Sequence, residues 1–105
     1  MPFGGKYQKT PTQSMVAKLP VLDHDTTTCS IMAWGGDPHV MEESPYRGAY
    51  LAVAESVAKV IAAGGSRRKC WLSFQEYFEK LGTAPSRWGK PVAALLGALL
   101  SLIHI

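Results

Sequence analysis

One segment constrains this chain more than any other. Ser44 to Gly65, SPYRGAYLAVAESVAKVIAAGG, reads as a long amphipathic helix with punctuation at both ends. Ser44 can cap free amides, Pro45 at the first helical position sacrifices no bond, and Gly64-Gly65 supplies a left-handed stop. The expected boundaries are Pro45 to Ala63. Tyr46, Tyr50, Val53, Val57 and Val60 recur at helical spacing as one apolar stripe, while Glu55 and Lys59 lie one turn apart on the far side. Such a stripe needs a surface to bury against, and a sheet is the expected one.

The flanking segments supply candidate strands. Thr26 to Trp34 (TTTCSIMAW) is β-branched at its start and apolar at its end, bounded by Asp-His-Asp before and Gly35-Gly36-Asp37-Pro38 after. Arg68 to Phe74 (RKCWLSF) reads as a second strand, so strand, helix and strand follow in order and predict an α/β unit. Ser14 to Leu22 is mostly apolar, but Pro20 restricts it to an edge strand or extended segment. Met1 to Pro11 reads as a leading loop, and the DHDTTT stretch as a turn. Gln75 to Leu81 predicts about two helical turns ending at Gly82, and Lys90 to Leu99 another helix with Pro near its first turn.

Length and composition narrow the class. The chain has 105 residues, 47% hydrophobic and 18% charged, with a mean hydropathy of +0.01. This is the size of one domain, and the charge content is too low for charge-driven disorder. At this length folding buries roughly two-thirds of the unfolded surface, which leaves little margin if a covering piece is missing. Eleven basic against eight acidic residues give +3, yet only Arg67-Arg68-Lys69 forms a run, with no aromatic platform beside it. A solvated turn is the expected reading, and neither nucleic acid nor membrane is an expected partner.

Cys29 and Cys70 show no CxxC spacing and no secretory hydrophobic segment precedes them, so buried, reduced thiols in a cytoplasmic protein are expected. A zinc site from Cys29, Cys70, His24 and His39 lacks the short ligand spacings such sites use. Val92 to Ile103 is apolar but shorter than the ~20 residues a membrane span needs. Leu100 to Ile105 resembles a translated sequencing-library transposon end, and residues 100–105 are expected to be a tail without function; a native apolar helix end is the alternative.

There is no Walker loop, GxGxxG, HExxH or GxSxG. Glu55 is the acid that stands out, because Ala52, Ala54 and Ala58 leave room around it. Read from periodicity alone it is the surface ion-pair partner of Lys59.

Several linked blocks carry more information than any short motif: MPFGGKYQKTP, MVAKLPVL, TTTCSIMAWG, the helix SPYRGAYLAVAESVAKVIAAGG, and LSFQEYFEKLGTAPSRWGKPVAALLGAL. Together, over Met1 to about Leu99, they resemble phosphoribosylformylglycinamidine synthase in its long, clostridial-type form. The resemblance implies two related halves of the aminoimidazole-ribonucleotide-synthetase type followed by a glutaminase domain, with residues 1–99 as the incomplete front α/β subdomain of the second half. It implies ATP-dependent conversion of formylglycinamide ribonucleotide to the amidine in purine biosynthesis, with ammonia delivered from glutamine. ATP and Mg2+ are the implied cofactors, and the remainder of the synthetase chain the implied partner.

In family members whose helix reads AVGEALTN, the Glu is a magnesium ligand and an Asn one turn later is another. Glu55 matches the first, so it is the implied metal residue. Lys59 occupies the second position, where a protonated amine cannot ligate a cation but can pair a phosphate, so Lys59 is the implied nucleotide contact. The DHDTTTC stretch does not align residue for residue, and Asp23 and Asp25 receive no role. The glutaminase triad would lie elsewhere, so no catalytic residue is expected here. Two readings compete with a catalytic fragment: a non-catalytic structural module with a structural nucleotide site, and a small autonomous binding protein. The start in mid-motif and the abrupt end argue against the last.

Overall fold

A computed structural model describes Tyr7 and residues 11–105; apart from Tyr7 and Pro11, the expected leading loop lies outside the described residues. Among these residues the chain is a small mixed domain of three α-helices and one two-stranded sheet. Strand β1 (Ser14–Lys18) pairs antiparallel with β2 (Cys29–Ala33), with Ser14 opposite Ala33 and Lys18 opposite Cys29. Pairing runs one step further, since the Leu19 amide donates to the Thr28 carbonyl at 3.0 Å, and stops at Pro20, which has no amide to give. In the connecting turn Asp23 adopts φ 62° and Asp25 accepts from Lys18 at 3.2 Å. Both Asp residues thus belong to the turn.

A short helix α1 (Pro38–Glu43) is capped by Asp37, whose side chain accepts from the His39 amide at 2.9 Å. Ser44 ends it in extended conformation and at once begins α2 (Pro45–Ala62), its hydroxyl accepting from the Arg47 amide at 3.4 Å. The stop is the expected one: Gly64 sits at φ 93°, and the Gly65 amide closes on the Val60 carbonyl at 2.9 Å. The local rules place α2 to within one residue.

The partner of its stripe differs from expectation. Val53 and Val57 are buried, but α2 packs chiefly on α3 (Pro85–His104), and the sheet covers only part of it. Length explains this. Strands of five residues reach about 17 Å, whereas an 18-residue helix runs about 27 Å. The core is Ala49 and Val53 of α2 against Ala94 and Ala98 of α3. The helices meet closely because Gly97 faces the α2 backbone, where a Cβ would overlap the Tyr46 carbonyl oxygen.

Arg68 to Phe74 is not a strand. Arg67–Lys69 forms a single 3₁₀ turn, and the segment from Cys70 onward runs irregularly without a ladder partner. A β-branched or aromatic run becomes a strand only where an edge is brought beside it. Gln75 to Leu81 likewise forms no helix. It is tied instead to the first two turns of α3, where Glu79 accepts from Lys90 at 3.3 Å and the Lys80 carbonyl from Arg87 at 2.9 Å. Helix α3 starts earlier than Lys90 because Pro85 takes its first position, which leaves Pro91 inside the helix.

Leu100 to His104 form the last turn of α3, and Ile105 caps it. Ser101 is wholly buried and its hydroxyl donates to the Tyr50 carbonyl at 2.9 Å. Arg67 donates to the Ile105 carbonyl. No helix among the described residues is long and apolar enough to cross a membrane. The thiols are less buried than expected: Cys29 lies exposed at the start of β2, and Cys70 is half-buried.

Candidate functional site

Glu55 and Lys59 lie one turn apart on α2, away from the apolar stripe, with Ala52 and Ser56 between them and the stripe. This side of the helix is not a free surface. The connection from β2 to α1 lies across it so closely that a Cβ on Gly35 would overlap the Ala52 carbonyl oxygen and approach the Ser56 nitrogen at 2.8 Å. Glycine is what allows this backbone to rest on the helix.

Glu55 and Lys59 close over the connection from either side. Glu55 Oε1 pairs with Lys59 Nζ at 2.6 Å, and Glu55 Oε2 accepts from the Gly36 amide at 3.1 Å. Lys59 Nζ also donates to the Trp34 carbonyl at 3.1 Å and sits 5.1 Å from the centre of the Trp34 ring. A cation over an indole face is attracted by the ring quadrupole. The Lys59 side chain is 17% exposed and the Glu55 side chain 45%. Hydrogen bonding from Lys59 first, then from the Gly36 amide, holds the Glu55 carboxyl below the ordinary carboxylate range, while nearby Asp37 opposes this.

This arrangement brings together the two residues singled out from sequence, Glu55 and Lys59, and adds Trp34 and Gly36, which sequence reasoning missed. The signal for them was the glycine pair Gly35-Gly36 after an apolar strand, read only as a strand terminator. His24 and His39 are exposed and lie on separate elements, and among the described residues no group of three His, Cys, Asp or Glu could hold a metal ion.

Magnesium prefers near-octahedral oxygen ligands, taken from carboxylates, phosphates and water. Here Glu55 has one oxygen committed to an ammonium at 2.6 Å and the other to an amide, and nearby Asp37 accepts from the His39 amide. The donor set does not fit a resident magnesium ion. Nor is Lys59 free to meet a phosphate while it bridges Glu55 and Trp34.

A second feature adjoins this one, sharing Trp34, Gly35, Ala52 and Ser56 with it. An open groove of about 1390 Å³ runs between β2, α2, the 70–79 segment and α3, lined by Ile31, Val53, Val57, Leu72, Phe78 and Ala94 among others. Cys29 and Cys70 also face it, their thiols donating to the Thr27 carbonyl at 3.5 Å and the Ser66 carbonyl at 3.3 Å. Trp71 and Tyr77, 94% and 98% exposed, line its rim. Comparison with family models, curated proteins and solved structures returns no match to this chain.

Proposed function

We propose that this chain is a structural piece of the synthetase unit of a phosphoribosylformylglycinamidine synthase, from the front half-domain of an aminoimidazole-ribonucleotide-synthetase-like fold, and that it does not turn over alone. The observation that carries the reading is the open groove. Its walls are β2, α2, the 70–79 segment and α3, and these are the blocks TTTCSIMAWG, SPYRGAYLAVAESVAKVIAAGG and LSFQEYFEKLGTAPSRWGKPVAALLGAL on which the resemblance rests. An open apolar groove on this scale is a surface for a partner element, and the reading supplies one in the remainder of the synthetase chain.

The chemistry of the intact enzyme would be phosphoryl activation of an amide oxygen by ATP with Mg2+, followed by attack of ammonia, in the cytoplasm. What this chain supplies to it is a scaffold: α2 and α3 locked by their small-residue interface, with the 34–37 connection held on α2. The pairing of Glu55 with Lys59 favours the structural over the metal-binding version of this surface.

The test is a chimera. Residues 11–99 replace the corresponding segment of a synthetase of that family, and ATP-dependent amidine formation is measured with ammonia supplied. Retained turnover in the chimera, with none from the isolated chain, is the expected result. A chimera that folds with native helix content but forms no amidine removes the assignment, and amidine formation by the isolated chain removes the claim that it is incomplete.

A further inference from the structure

We propose that Lys59 is a built-in cation for Glu55: its ammonium, in place of a metal ion, holds the carboxylate, and the pair positions the Trp34 to Asp37 connection on α2 without magnesium. The 2.6 Å contact makes Lys59 the nearest positive charge to Glu55 Oε1, and the same ammonium reaches the Trp34 carbonyl and ring. One lysine therefore satisfies the carboxylate and grips the connection at its start, while Glu55 Oε2 grips it two residues later through the Gly36 amide.

The consequence reaches beyond the pair. Asp37, next in the chain, caps α1 through the His39 amide. Holding residues 34–36 thus sets where α1 begins and how it crosses α2. Lys59 is a positioning residue in this arrangement, and a divalent ion has no vacancy to fill.

The experiment reads the connection directly. In the full 105-residue chain the Gly36 amide proton, bonded to a carboxylate, is expected to resonate downfield, and Trp34 to report through its indole proton. Titration with MgCl2 at constant ionic strength is expected to leave both unmoved in the wild type. Lys59→Met keeps the aliphatic stem but removes the charge. In this variant the Gly36 and Trp34 signals should move toward their unbonded positions in the absence of magnesium, and Lys59→Arg should restore them.

Magnesium-dependent movement of Gly36 in the wild type would overturn the proposal, as would Lys59→Met leaving both signals in place. If Lys59→Met fails to fold, the wild-type titration and the Lys59→Arg spectrum still decide. None of these readouts involves turnover, so the outcome stands apart from the synthetase assignment.

Discussion

The Ser101 hydroxyl donates to the Tyr50 carbonyl at 2.9 Å across the α2–α3 interface, and Ser101 is the only side chain among the described residues with no exposure at all. The last turn of α3 is therefore pinned to the middle of α2. Ser101→Ala removes the donor without changing the helix, and is expected to cost about 1 kcal/mol. For a chain of this size that is a fall of roughly 4–8 °C in Tm, read by thermal circular dichroism.

Gly97 and Gly89 lie on the same helix and should respond with opposite sign. At Gly97 a methyl would overlap the Tyr46 carbonyl oxygen, whereas at Gly89 it meets nothing within 4 Å. Gly97→Ala is expected to destabilise by about 1–3 kcal/mol as the helices separate. Gly89→Ala should stabilise by up to about 1 kcal/mol through helix propensity. Urea denaturation of the two variants checks both, and the same sign for both would contradict the described interface.

Glu55 makes stability depend on acid. Its folded carboxyl titrates below the ordinary value of 4.5, so its contribution is complete above that pH and is lost as pH falls below 4.5 through the folded value. The stability difference between wild type and Glu55→Gln should shrink over that window, while remaining flat from there to neutrality. The effect is small because the side chain is nearly half exposed.

Glu79 should matter little despite its two partners. It lies 3.3 Å from Lys90 and 3.8 Å from Arg87, but all three side chains are about half exposed. Glu79→Gln is expected to change stability by no more than about 0.5–1 kcal/mol, and the change should fade in high salt. Denaturation midpoints at low and high ionic strength check this.

The open groove should bind a hydrophobic dye while the chain is native. Fluorescence of such a dye with wild-type chain at neutral pH is expected to exceed that of a closed domain of similar size, and Val57→Lys, within the groove lining, should reduce it. No difference between wild type and Val57→Lys in folded protein would show that the dye sits elsewhere.

The sequence by itself determined the features written in local chemistry. Ser44-Pro45 and Gly64-Gly65 bracket α2 through caps and backbone preference, Pro20 limits β1, and the apolar end of TTTCSIMAW before Gly35 marks β2, though its β-branched start, Thr26–Thr28, lies outside the strand Cys29–Ala33, because each rests on bonds and sterics within a few residues. Tertiary structure decided the rest. RKCWLSF is held across the groove from the unpaired edge of β2 and stays irregular, though its composition suits a strand. Helix α2 packs chiefly on α3, through Ala49 and Val53, because two five-residue strands are too short to cover it, a fact no pattern within α2 contains. Lys59, equally suited in sequence to solvent or to a phosphate, is committed by a backbone carbonyl and a ring twenty-five residues earlier in the chain. Ser101 is buried because Gly97 lets α3 approach the backbone of α2 closely enough for a hydroxyl to reach a main-chain oxygen. Contacts between residues far apart in sequence depend on which surfaces the fold brings together, and that information resides in no single segment.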